Sequence, residues 1–98
     1  MKFMGTWRMP PERQPAAIER FLENSAAVPE GVALLGRWHA PGSMHGFVLF
    51  ETDDLTALAA HQAEWSDVVE INLTPVIEDE QAGEAMARMQ AVRKGPVA

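Results

Sequence analysis

Val32-Ala33-Leu34-Leu35-Gly36-Arg37-Trp38-His39, then Ala40-Pro41-Gly42-Ser43-Met44, then His45-Gly46-Phe47-Val48-Leu49-Phe50-Glu51, read as two extended runs joined by a Pro-Gly turn. This is the pattern of a β-hairpin. Val32 to Leu35 and Phe47 to Phe50 are apolar on both sides of their strands. A sheet with one wet face has no use for that, so both faces of the hairpin are expected to be covered.

Before the hairpin, Phe3 to Arg8 forms a short run closed by Met9-Pro10-Pro11, where neither proline can donate to a ladder. A helix is expected from about Arg13–Pro15 to Asn24, on the spacing of Ile18, Phe21 and Leu22, with Pro15 tolerated in its first turn. After the hairpin, Thr52-Asp53-Asp54 supplies capping oxygens for a second helix whose stripe is Leu55, Leu58, Ala59, Gln62 and Trp65. Val69, Ile71 and Leu73 then alternate with Glu70, Asn72 and Thr74, the period of a half-buried strand that closes near Pro75. Glu78-Asp79-Glu80 opens a last helix with Ala82, Ala85, Met86, Met89 and Val92 on one side and Arg88, Arg93 and Lys94 toward its end. Gly83 and the narrow stripe leave this helix in need of a surface to lean on.

The order is strand, helix, strand, strand, helix, strand, then helix. That is the ferredoxin-like βαββαβ arrangement, an α+β class with both main helices on one face of a four-stranded antiparallel sheet. The expected organisation is one domain, a core over residues 1–77 followed by a helix and tail over residues 78–98. Either the last helix or a second subunit could cover the other sheet face. The terminal stripe is thin, so a homodimer is the preferred expectation.

Composition narrows the partners. The 98 residues carry 8 Lys and Arg against 14 Asp and Glu, a formal charge of −6, with 47% hydrophobic residues. That is a foldable chain without the basic field nucleic acid requires. The absence of cysteine excludes disulfides, thiolate metal sites and a thiol nucleophile. An arginine at position 8 interrupts any leader, and no apolar run approaches bilayer length, so a cytoplasmic protein without a membrane partner is expected.

Lys2-Phe3-Met4, Thr6-Trp7-Arg8, Leu34-Leu35-Gly36-Arg37-Trp38-His39, Gly46-Phe47-Val48-Leu49-Phe50-Glu51, Glu64-Trp65-Ser66-Asp67 and Leu73-Thr74-Pro75-Val76 resemble an uncharacterised family of short bacterial domains, domain of unknown function 3303. That family in turn resembles the dimeric α+β barrel superfamily. The resemblance implies two ferredoxin-like subunits joining their sheets around a cavity. It carries no catalytic residue and does not select among monooxygenases, isomerases, haem-degrading enzymes and proteins with no known reaction.

Candidate site residues follow from alternation. Arg37 and His39 share one face of their strand, and Glu70 and Asn72 share one face of theirs. If these faces meet, they bring a cation, an imidazole, a carboxylate and an amide to a ligand, with Trp38 as an aromatic wall. The bland alternative is an Arg37–Glu70 surface pair. Trp7 and Trp65 are assigned to packing, and His61 to the edge of the second helix's stripe. His39 and His45 flank the turn, but their spacing matches no metal motif, and no metal is expected. Asp53-Asp54 and Glu78-Asp79-Glu80 read as caps. No segment matches a phosphate loop or dinucleotide fingerprint, so no cofactor is expected. Two functions remain. One is a module that binds a small apolar or amphipathic molecule or a protein partner in a shared barrel. The other is a small cofactor-free enzyme of the monooxygenase or isomerase type.

Overall fold

The computed structural model describes residues 1–42 and 44–95. Strands β1 (Lys2–Arg8), β2 (Ala33–His39), β3 (His45–Glu51) and β4 (Glu70–Val76) form one antiparallel sheet in the order β2-β3-β1-β4. Helices α1 (Gln14–Asn24) and α2 (Leu55–Trp65) lie between the strands in sequence, and α3 (Asp79–Lys94) follows β4. A 3-10 turn, Pro11–Arg13, feeds α1, where Pro15 sits among the first two positions.

Strand β1 alternates: Phe3, Gly5 and Trp7 are buried while Met4, Thr6 and Arg8 are exposed. The register carries that inward face across the sheet, with Trp7 opposite Gly46 on β3 and Ile71 on β4. Gly46 is required here because a Cβ would collide with the Trp7 indole and the Trp38 carbonyl. Val48, Phe50, Leu58, Trp65 and Val69 complete a core between the sheet and the two helices. In α2, Asp54 caps by accepting from the Ala57 N–H at 3.0 Å. The buried residues of that helix are Leu58, His61 and Trp65, whereas Leu55 is 54% exposed. The apolar stripe is therefore rotated from the expected one, and it brings a histidine inside.

The barrel expectation is corrected. The sheet is open: β2 and β4 are its two edges and do not pair with each other. A barrel requires the sheet to curl with tilted, staggered strands until its edges are paired, and here both edges stay free. The resemblance to the dimeric α+β barrel superfamily thus fails at the barrel itself, and the shared barrel cavity goes with it. The helix-free face carries Met4, Trp38 and Phe47 at 52, 54 and 48% exposure. Helix α3 does not cover it, since none of that helix's residues is buried.

Candidate active site between helices and sheet

A cavity of about 220 Å³ lies on the helix side of the sheet. Its walls are apolar, from Val48, Phe50, Phe21 and Trp65, and its mouth is flanked by Ile18 and Leu22 of α1, which are 42 and 77% exposed. Four of the lining residues carry polar groups: Trp7, Arg37, His39 and His61.

Two of these are buried without a partner. Trp7 and His61 are 9 and 3% exposed, and neither the indole Nε1 nor the imidazole Nδ1 finds a hydrogen-bond partner among the described residues. Leaving such an atom unpaired costs about 1–3 kcal/mol. Both atoms belong to residues that line the cavity, so a small movement of either ring would offer a polar atom to a ligand. Burial, and then the Arg37 charge, lower the His61 pKa, while Glu64 opposes them. The imidazole is held neutral, with its ring edge-on to Phe50 at 5.7 Å.

Arg37 reaches the cavity from β2 and donates to the carbonyls of Ser25 and Ala26 at 3.1 and 2.9 Å. Those two residues hold φ values of 57° and 48°, a left-handed pair that ends α1 without a glycine. Its guanidinium stacks over Phe21 at 5.8 Å, and burial lowers its pKa, although an arginine stays charged. His39 sits edge-on to Trp7 at 5.0 Å and to Phe21 at 5.6 Å. Arg20 of α1 ties that helix to the turn after α2, donating to both carboxylate oxygens of Asp67 at 2.8 Å and lying over the Trp65 ring. That pairing holds the Asp67 carboxyl down at about 2.

The sequence-predicted residues divide between the two faces. Arg37 and His39 are on the cavity side, opposite Val48 and Gly46. Trp38 alternates to the open face opposite Phe47. Glu70 and Asn72 are there too, opposite Arg8 and Thr6. Glu70 pairs with Arg8 at 3.0 Å, so the anticipated partnership with Arg37 does not form. Asn72 is exposed. The sequence offers Trp7, with Trp38 and Trp65, as a cavity liner beside the preferred packing role, whereas His61 reads only as a partly buried imidazole at the edge of the stripe. Phe3 and Trp7 share one strand phase, and Leu58, His61 and Trp65 stand at helical spacing, so the signal was present. Competing stripe residues Ala59 and Gln62 obscured it. Among the described residues, no three of His, Asp and Glu gather as a metal site, and no helix is long and apolar enough to cross a membrane.

The fold is thus a ferredoxin-like sheet with an apolar cavity on its helix side. The chain belongs to the family described as domain of unknown function DUF3303, whose model matches residues 1–90. No curated protein matches the sequence. Among solved structures, it is similar to an uncharacterised NIPSNAP domain protein from Burkholderia xenovorans, at 14% identity over 80% of this chain and 95% of that one, with a TM-score of 0.42. It is also similar to a protein designated an antibiotic biosynthesis monooxygenase from Deinococcus radiodurans, at 14% identity over 79% and 92% of the two chains and a TM-score of 0.38. Likenesses this distant leave the chemistry undetermined.

Proposed function

We propose that the chain is a small enzyme of the cofactor-free monooxygenase or isomerase type, acting on one planar, mostly apolar molecule with an acidic hydroxyl or enolisable carbonyl. The observation that carries this reading is that two residues lining one apolar cavity, Trp7 and His61, each hold a buried ring nitrogen without a partner. A volume of about 220 Å³ suits a small ring system, and is below the roughly 300–1,000 Å³ of clefts that take larger ligands.

In this reading neutral His61 removes a proton from the substrate, and the Trp7 indole N–H donates to the oxyanion that forms. The imidazolium then created is unfavourable beside Arg37 unless that oxyanion is present, so proton transfer is tied to substrate binding. Arg37 contributes its field, since its hydrogen bonds are engaged by the α1 terminus. Both reaction types share this first step. An isomerase returns the proton to a different carbon. A monooxygenase lets the carbanion react with dioxygen, so that a ring CH₂ becomes a carbonyl and the second oxygen atom leaves as water.

The test uses a panel of hydroxylated bicyclic arenes and aryl ketones. Exchange of the substrate C–H in deuterated water and oxygen uptake are followed for the native chain and for His61→Asn. Exchange that is lost in the variant supports the reading. Tight binding with neither exchange nor oxygen uptake would return the chain to a noncatalytic binding module.

A further inference from the structure

Two apolar surfaces of this chain have no counterpart within it. The first is the centre of the open sheet face, where Met4, Phe47, half-buried Leu49 and Trp38 lie side by side, the Trp38 ring resting over Gly36. Charged groups surround them at the strand ends: Lys2, Arg8, Glu51 and Glu70. An apolar centre inside a polar rim is the anatomy of an interface. The second surface is α3. Ala82, Ala85, Met86, Met89 and Val92 fall on one side of that helix, with Met86, Met89 and Val92 at 60, 49 and 80% exposure. Glu80, Glu84 and Arg88 run along the other side, where Glu84 and Arg88 pair.

These surfaces do not meet within one chain. Only Ile77 and Glu78 separate β4 from α3, and Glu78 is ion-paired to Lys2 on β1. The helix is thereby directed away from the sheet, giving the chain a longest dimension of 64 Å against 29 and 19 Å for the others. No residue of α3 is buried, so the helix stands clear of its own sheet.

We infer that α3 is an exchanged arm: in a two-fold dimer, the Met86–Met89–Val92 side of one copy's α3 lies across the Met4–Trp38–Phe47–Leu49 centre of the other copy's sheet, and the reverse. The dimensions agree, since 16 residues of helix extend about 24 Å and seven residues of strand about 23 Å. A helix about 10 Å wide and 24 Å long covers roughly 240 Å² of sheet; with both surfaces and both arms counted, the exchange buries on the order of 1,000 Å², the lower bound for a specific interface. The dimer is therefore expected to dissociate on dilution. It encloses no barrel, because a helix, rather than a second sheet, lies on each open face. The inference does not depend on the proposed chemistry.

The experiment measures mass by light scattering over a concentration series for the native chain, Met86→Lys with Met89→Lys, and Trp38→Thr. The substituted positions are exposed, and circular dichroism verifies folding. The expected result is a dimer for the native chain and a monomer for both variants. Isotope-filtered NOEs in a mixture of labelled and unlabelled chains are expected between the Met86 or Met89 methyls and the Trp38 ring. A native monomer at every concentration overturns the inference. So does a dimer that survives the α3 substitutions, because the open faces would then be pairing without the arm.

Discussion

Replacing His61 with phenylalanine is expected to make the protein more stable and useless. The native imidazole is buried at 3% exposure with an unpaired Nδ1. Removing a buried polar atom that has no partner recovers about 1–3 kcal/mol. The phenyl ring keeps the edge-on contact to Phe50, now at 5.7 Å, and the adjoining cavity of about 220 Å³ absorbs its extra volume. For a chain of 98 residues each kcal/mol moves Tm by about 4–8 °C, so a rise of roughly 4–24 °C is expected. Acid widens the gap. The His61 pKa is lowered in the fold, so below about pH 6.5 the unfolded chain binds a proton that the folded one refuses, and native stability declines as pH falls. The variant lacks that slope. Thermal unfolding at about pH 7.5 and about pH 5.5, with ligand binding measured alongside, reads both effects. A lower Tm at both pH values, or a gap that does not grow toward acid, refutes the reasoning and makes His61 an ordinary core residue.

Arg37→Met removes both donors from the left-handed Ser25–Ala26 pair and should cost about 1–2 kcal/mol in chemical denaturation while raising the His61 pKa, which imidazole NMR would follow. Gly46→Ala should cost at least about 2–3 kcal/mol, because its methyl group must displace the Trp7 indole and the Trp38 carbonyl; an unchanged unfolding midpoint would contradict the packing. Asp67→Asn should flatten the acid limb of the stability profile. The Asp67 carboxyl, depressed from 3.8 to about 2, contributes stability above its unfolded pKa that is lost as pH falls through its folded one. An acid limb that persists unchanged between those values in the variant would assign it to other carboxylates.

The elements were legible because each had its own local cause: prolines that close β1, Asp54 as a cap, and strict alternation in β4. The two-sided hairpin was legible too, but its consequence was misread. Apolar residues on both faces say that each face needs cover without saying what supplies it, and a closed barrel was the wrong supply. The site was legible only by halves. Alternation placed Arg37 with His39, and Glu70 with Asn72, yet the phase of one strand against another is set by the register. The register of β2 on β3, with its shift between Leu34 and Gly36, is absent from local pattern. The burial of His61 was hidden for a related reason: α2 is apolar around much of its circumference, so a small rotation selects a different stripe.

The most direct test of the central claim follows the three indole N–H signals and the histidine ring nitrogens by NMR as a hydroxylated bicyclic arene is added. The account predicts that Trp7 and His61 shift together and that His61→Phe abolishes the Trp7 response, while Trp38, on the opposite face, stays still. Movement of Trp38 with Trp7 and His61 unmoved would contradict it.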